Sequence, residues 1–504
     1  MLKTGAEHLA SLRDGRVVYI GSERVDDVTA HPAFRTAAET VSSIYEMKRA
    51  PENLHITSYE EDGEQFSSYY LRARSRDDLW KRTQTHKKIA DLTFGLFGRS
   101  PDHVAGLLTG LAMKADVLDQ KSGFRDNLLN HFDHMRRNDS YPSYAVIPPA
   151  GVRHADIYAG EKREDPGLRV VEETDSGVVL SGMKMLATGA VFSNEILIGN
   201  LTPLAAEFKE YAITCALPCN APGLAMWARR PYAQTATSEM DYPLSFRFDE
   251  SDVVVVCDRV EVPWEKVFIH NDAELSRGCY IMTPANCFSN HQSNVRFWSK
   301  MSMLVGLASR VCQSSGNDKI PAVREQLGRL AALEGAIAGM VHGQVMAYED
   351  WPGGPEGYVC FNRRYMYAAL NWCTENHSAI IDLVRELVGG HVLQMPADSS
   401  VLENPELRAQ FENYFATPFM DSITRWKLLK FTWDLIGSEF AGRHALYEKF
   451  YGGHSVIVRN QSYREAPWND FHAIVDDALA AIPVPGIPKI PEIPEIPGIN
   501  AMDR

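Results

Sequence analysis

Five hundred and four residues are enough for roughly three domains of about 150 residues each, and a composition 45% apolar and 10% aromatic can fill large cores. Lys and Arg number 51 against 65 Asp and Glu, a formal charge of −14, which argues against a sequence-independent nucleic-acid binder or a protein held to acidic lipid. No export-type apolar segment opens the chain, and nowhere do about 18 uncharged apolar residues follow one another. The sequence therefore predicts a cytoplasmic protein with no membrane partner, whose eight scattered cysteines are reduced thiols.

From about residue 35 to 138 apolar residues recur at helical spacing, as in Phe34, Ala37, Val41 and Ile44, then Leu107, Leu111, Met113 and Val117; this predicts a helical domain over 1–142. Between 143 and 272 the pattern changes to short β-rich runs at 168–171, 178–180, 211–215 and 253–256, with a hairpin turn at Thr174-Asp-Ser-Gly177; this predicts a β domain. Long helical patterns return over 323–348, 365–388 and 423–450, enough for a helix bundle within 273–481. The end, 482–504, repeats Ile-Pro with an occasional charge. So many prolines deny helix and sheet their hydrogen bonds, and an extended tail, an arm across a neighbouring subunit, is expected. The order α, β, α defines an α+β protein.

The chain has no Gly-x-Gly-x-x-Gly between a strand and a helix, no phosphate-binding Gly-x-x-x-x-Gly-Lys-Ser/Thr, no His-Glu-x-x-His and no Gly-x-Ser-x-Gly. Rossmann binding, nucleotide hydrolysis and common zinc or serine hydrolysis lose their usual support. His131 and His134 could share a helix face, but no further ligands with zinc-like spacing accompany them, and Cys215 and Cys219 lie about 13 Å apart on a strand. No metal is expected.

The segment Phe97-Gly-Arg-Ser-Pro-Asp-His103 reads as a helix start: Ser100 suits the N-cap, Pro101 the first helical position and Asp102 the positive end. Arg99 then stands beside free backbone N–H groups, where a phenolate, carboxylate or peroxide anion is stabilised. His103 falls in the first turn, where the helix dipole favours its neutral, proton-accepting form. A capped surface helix with an ordinary Arg and His is the plainer alternative.

Arg99-Ser-Pro-Asp102, Asp241-Tyr-Pro-Leu-Ser-Phe-Arg-Phe-Asp-Glu-Ser-Asp252, Val262-Pro-Trp-Glu-Lys-Val-Phe268 and Gly437-Ser-Glu-Phe-Ala-Gly-Arg-His-Ala-Leu-Tyr-Glu-Lys-Phe450 occur in one order over nearly the whole chain. In these motifs the sequence resembles the oxygenase component of the two-component 4-hydroxyphenylacetate 3-monooxygenases. The resemblance implies an acyl-CoA dehydrogenase-like fold of N-terminal helical domain, middle β-barrel and C-terminal four-helix bundle, assembled as a homotetramer. It implies reduced FAD, or FMNH2, delivered by a separate NAD(P)H-dependent flavin reductase, with O2 as co-substrate and hydroxylation of a small aromatic ring through a C4a-hydroperoxide. Hydride chemistry done elsewhere suits the missing dinucleotide motif.

By position, the resemblance places the flavin against Tyr144, against Ala150, Gly151, Val152 and Arg153, against Thr188, whose hydroxyl can bond a ring edge, and against Gly437, Ser438, Glu439 and Phe440. Arg99, His103 and Tyr144 become the catalytic group, and they also bind substrate together with Asn200 and Leu201. The chain departs from phenol-hydroxylating relatives in carrying His103 where they have Tyr and Tyr144 where they have His, so the two residue types look exchanged. Their substrate-facing Ser-Thr reads Asn200-Leu201 here. The implied substrate is therefore an aromatic or heteroaromatic ring, phenolic, amino- or carboxyl-substituted, rather than 4-hydroxyphenylacetate itself.

Two other readings share the fold. One is a non-catalytic flavin-binding subunit. The other is a 4-hydroxybutyryl-CoA dehydratase, which needs three cysteines and a histidine around an iron–sulfur cluster. His291 falls near that histidine, but the nearest cysteine to Arg99 in sequence is Cys215, which disfavours it.

Overall fold

The computed structural model describes residues 2–150, 152, 165–201, 204, 206, 208–351 and 357–482. Gly151, Arg153 and the expected tail from 483 onward lie outside the described residues.

The first lobe is built on helices Arg35–Arg49, Arg76–Leu92, Pro101–Ala112 and Arg125–Arg137. Every residue of Pro101–Ala112 is buried, as expected of a helix that is apolar around its circumference. Its Gly110 lets the backbone of Pro284 and Ala285 approach where any Cβ would collide. This seats the long helix Ala285–Ser315 directly against it.

The lobe is not wholly helical. Val17–Ile20 and Glu23–Val25 form a hairpin turning at Gly21 (φ 60°), and Val17–Ile20 runs parallel to Leu224–Ala228, with Val18 opposite Met226. The β domain expected over 143–272 thus borrows two strands from the first 25 residues. Strands of three and four residues are too short to show a period of two against a helical background.

The middle domain joins two sheets around one core. The six-stranded sheet runs Glu23–Val25, Val17–Ile20, Leu224–Ala228, Asp252–Pro263, Gly177–Thr188, Arg169–Thr174, and the four-stranded sheet Val267–Ile269, Thr214–Pro218, Glu195–Ile198, Pro142–Ala145. Val18, Leu180, Ile196, Ile213, Met226 and Val255 meet between them. A bridge from Ile147 to Met185 links one sheet to the other. The predicted turn at 174–177 closes the hairpin between Arg169–Thr174 and Gly177–Thr188.

The C-terminal bundle packs Ala285–Ser315, Pro321–Met346 and Arg363–Val388 against one another. The pattern over 423–450 is not one helix but two, Ser422–Ile436 and Glu439–Phe450. Gly437 ends the first through its N–H to the Trp433 carbonyl (2.8 Å), and the Ser438 hydroxyl caps the second by accepting from the Ala441 N–H (3.1 Å). Periodicity carries through such a break, whereas a Gly-Ser pair supplies the stop and start chemistry. The second helix is tied inward by buried Glu448, which takes two hydrogen bonds from Arg296 (2.7 and 2.6 Å) and one from Lys300. Arg296 also donates to the Gly95 carbonyl (2.7 Å).

The helix Trp468–Ala480 has no buried residue. Its Phe471, Ile474, Val475 and Leu479 form an exposed apolar stripe at helical spacing. Among the described residues no helix is long and apolar enough to cross a membrane. All eight cysteines are buried and free.

Candidate active site

The three parts of the fold meet around a cavity of about 1260 Å³. That exceeds the roughly 300–1,000 Å³ typical of a pocket for one drug-sized ligand, so there is room for a tricyclic ring and a small aromatic side by side.

One end is set by the start of the helix Pro101–Ala112. The N–H groups of Gly98 and Arg99 both donate to Glu250 Oε2 (2.9 Å each), and the Tyr141 hydroxyl donates to the Arg99 carbonyl, fixing the backbone that carries Arg99. Ser100 stands at the N-cap as expected, with Pro101 next. Its hydroxyl, however, donates to Asp102 Oδ1 (2.5 Å) rather than receiving a backbone N–H. Asp102 Oδ2 is bonded in turn to His86 Nδ1 (2.7 Å).

The Arg99 guanidinium lies 4.0 Å from the centre of the Tyr451 ring and 5.0 Å from that of Tyr144. Burial opposes its charge, but the Tyr144, Tyr451 and Tyr447 phenols and Glu250 outweigh burial and keep its pKa above the ordinary arginine value. Its Nη1 donates to His103 Nε2, so that nitrogen carries a lone pair. Burial first, then the Arg99 charge, hold the His103 pKa well below 6.5. The neutral state expected from the helix start is present, but its cause is desolvation and Arg99. The Tyr144 ring faces His103 with centroids 5.8 Å apart.

An ionic cluster adjoins this end through the same Glu250. Arg443, from the helix Glu439–Phe450, bonds Glu250 Oε1 (2.7 Å) and both oxygens of Asp252 (2.7 and 3.0 Å), and Arg229 bonds Asp252 Oδ2 (2.8 Å) and Asp249 Oδ1 (2.5 Å). Against the cost of burial, Arg443 and then Arg229 keep the Asp252 carboxyl far below the usual range. Thr188 donates to Asp252 Oδ1 (2.6 Å), so towards the cavity its hydroxyl can only accept. Gly98 is required here for close approach, since a Cβ would collide with the Tyr447 ring.

Of the residues singled out in the sequence, Arg99, His103, Tyr144, Ala150, Thr188, Leu201 and Glu439 line this cavity. Asn200 does not. Its amide donates to the Tyr211 carbonyl and Ser276 Oγ (2.9 Å each) and accepts from Lys184 Nζ (2.7 Å), a set of partners that ties this segment to the helix Ala273–Met282. Gly437 and Ser438 act as helix caps, and Phe440 packs edge-on against His444 and Tyr232. Val152 is outside the lining and its N–H reaches the Pro149 carbonyl at 3.4 Å. His131 is buried beside Lys266 and Glu195. Sequence reasoning missed Tyr451, Gln292, Arg229 and Arg277. Arg443 and Tyr447 lay inside a quoted motif without being singled out.

The donors and shape suit a flavin: cationic Arg229 and Arg230 and the acceptor Thr188 surround one end, and Pro148, Pro149 and Leu186 supply apolar walls. No cysteine lines the cavity among the described residues, which leaves no thiolate for an iron–sulfur cluster there.

Residues 4–269 match the family described as 4-hydroxyphenylacetate 3-hydroxylase N terminal, and residues 276–480 match its C-terminal counterpart. The 4-nitrophenol 2-monooxygenase oxygenase component of a Rhodococcus species is 32% identical over 466 residues, 91% of this chain and 88% of that protein. The crystal structure of the oxygenase component of 4-hydroxyphenylacetate 3-monooxygenase complexed with FAD has a TM-score of 0.87 at 27% identity, covering 95% of this chain and 98% of that one. An archaeal 4-hydroxybutyryl-CoA dehydratase from N. maritimus, at 20% identity and TM-score 0.84 over 97% of each chain, shares the fold. The chain belongs to the 4-hydroxyphenylacetate 3-hydroxylase family and is an oxygenase component of a two-component flavin-dependent monooxygenase.

Proposed function

We propose that the protein hydroxylates a small phenolic or related heteroaromatic ring held between Arg99, His103 and Tyr144, using reduced FAD supplied by a separate NAD(P)H-dependent reductase. The observation that carries this reading is the convergence of those three side chains in a cavity that also offers Thr188 and the Arg229–Asp252–Arg443 cluster. Reduced FAD, when bound, activates O2 and supplies the oxygen atom. The Thr188 hydroxyl, the Pro148-Pro149-Ala150 segment, Arg229 and Arg230 hold the ring.

Arg99 binds the anionic form of the substrate hydroxyl. A half-buried guanidinium does this better than one in water, because lower polarity strengthens the pairing. His103 offers the Nε2 lone pair and takes the hydroxyl or ring N–H proton at that atom, while the Tyr144 hydroxyl orients the ring. Burial of His103 and Tyr451 keeps water from the reacting centre. The exposed stripe on Trp468–Ala480 supports assembly with further copies, as a homotetramer.

The test is turnover with reduced FAD from a generic flavin reductase, 18O2 and a panel of phenols, aminophenols and hydroxylated heterocycles. One 18O atom per product molecule is expected. Flavin binding with no labelled product from any member would point instead to a non-catalytic subunit.

A further inference from the structure

Gln292 lies behind His103, 2% exposed, outside the cavity lining. Its Oε1 is 3.1 Å from His103 Nδ1 and 3.2 Å from the Tyr451 hydroxyl oxygen, while its Nε2 donates to Asp102 Oδ1 and Ser100 Oγ (3.3 Å each). An amide can sit either way round in a pocket unless its partners differ in kind, and here they do. Asp102, as a carboxylate, only accepts, so it draws the amide nitrogen and turns the amide oxygen towards His103. Arg99 Nη1 also lies 3.3 Å from Nδ1, but it is closer to Nε2, and the amide oxygen at 3.1 Å can only accept, so its bond to the ring requires a proton on Nδ1.

With a neutral ring, Nε2 is then left with the lone pair, directed at Arg99 and the cavity. The Tyr451 hydroxyl is compatible with this order. It can donate to the Gly98 carbonyl (2.8 Å) and accept from Nδ1–H (3.2 Å). Asp102 is held in turn by His86 and the Ser100 hydroxyl.

We propose that Gln292, oriented by Asp102, is a positioning residue that fixes His103 as its Nδ1–H tautomer and so aims the Nε2 lone pair at the substrate hydroxyl. This rests on the hydroxylase reading above. The opposite tautomer would present an N–H to the cavity and to Arg99, two donors facing each other, and could not accept the proton. The relay asks the amide dipole to do what a carboxylate does in a Ser-His-Asp triad, in a place where a second anion would draw Arg99 away from the substrate.

The test uses 4-nitrophenol, whose ionised form absorbs in the visible, bound to the full chain without flavin. An Arg99 cation and an aimed lone pair favour ionisation of the bound phenol. Gln292→Met fills the same space without hydrogen bonds and is expected to raise the pH midpoint of bound-phenol ionisation by about one unit, a tenfold change in that equilibrium. Gln292→Glu restores the wild-type midpoint, because a protonated Glu arm can donate to Asp102 while its carbonyl oxygen accepts from His103. Turnover follows the same order: Gln292→Met loses at least about tenfold and no more than the 10²- to 10⁴-fold expected for losing the base itself, with an unchanged Kd for FAD. An unshifted midpoint in Gln292→Met, or a Gln292→Glu variant no better than Gln292→Met, overturns the proposal. Failure of the hydroxylase reading shows separately, as absence of hydroxylated product from the wild-type protein with reduced flavin.

Discussion

Replacing Glu448 by Gln keeps its shape and removes its charge, stranding two buried cations. Arg296 and Lys300 are each 1% exposed and share that one carboxylate. Breaking a buried pair from one side costs about 3–5 kcal/mol. Lys300 can soften the loss. Burial already pushes its pKa down to about 8, even with Glu448 present, so without the carboxylate it gives up its proton at neutral pH. Arg296 cannot, and keeps the Gly95 carbonyl and the ring faces of Tyr451 at 4.8 Å and Tyr447 at 5.8 Å. The lower bound, about 3 kcal/mol, is therefore expected, or about 6–12 °C in Tm for a cooperative unit of roughly 200 residues. The assay is thermal unfolding at pH 7 and fixed protein concentration, since assembly shifts Tm by mass action. A Lys300→Met, Glu448→Gln double variant should lose no more than the single Glu448 variant, because Lys300 has already been discharged. A Tm within 1 °C of wild type in Glu448→Gln would refute the reasoning, meaning that Arg296 finds water or another anion at no cost.

His103→Ala is expected to lower hydroxylation by about 10²- to 10⁴-fold with FAD binding retained and O2 uptake ending as H2O2. Wild-type coupling in that variant with collapse in Tyr144→Phe would show that the two roles are reversed. Because burial and Arg99 hold the His103 pKa well below 6.5, the ring stays a proton acceptor as pH falls through 6, so the acidic limb of the kcat/KM profile should lie below the ordinary histidine range. A limb centred near 6.5 contradicts this. Thr188→Val should weaken FAD binding by about 0.5–1.5 kcal/mol, a few-fold to about tenfold in Kd by titration. The isolated chain should not consume NADH at the rate at which product forms, and light scattering at micromolar concentration should give four times 56.4 kDa.

What could be read from the sequence depended on how local the signal was. The helix start at Ser100-Pro101 is written in adjacent residues, and so Arg99 and His103 were found. Tyr144 followed from the family pattern. Tyr451 and Gln292 meet His103 across 348 and 189 residues, a juxtaposition made by packing rather than by any motif. The helix Ala285–Ser315 hid its role for a physical reason. Its first half buries Asn286, Ser289, Asn290, His291, Gln292 and Asn294, so polar residues face inward and the apolar stripe used to read burial is absent. Asn200 was misplaced because its neighbour Leu201 does reach the cavity. At a strand end one residue's difference turns a side chain from one face to the other.

The parallel pairing of Val17–Ile20 with Leu224–Ala228 sets an order of events during synthesis. Parallel strands cannot be satisfied by a local hairpin, and here the partner is encoded some two hundred residues later. At about 5–20 residues per second, the first hairpin waits roughly 10–40 s on the ribosome with one edge unpaired. That edge is a template for the wrong chain. In a cell making many copies at once, folding yield should therefore depend on translation speed and on chaperones that shield the nascent amino terminus, more than on the stability of the finished enzyme.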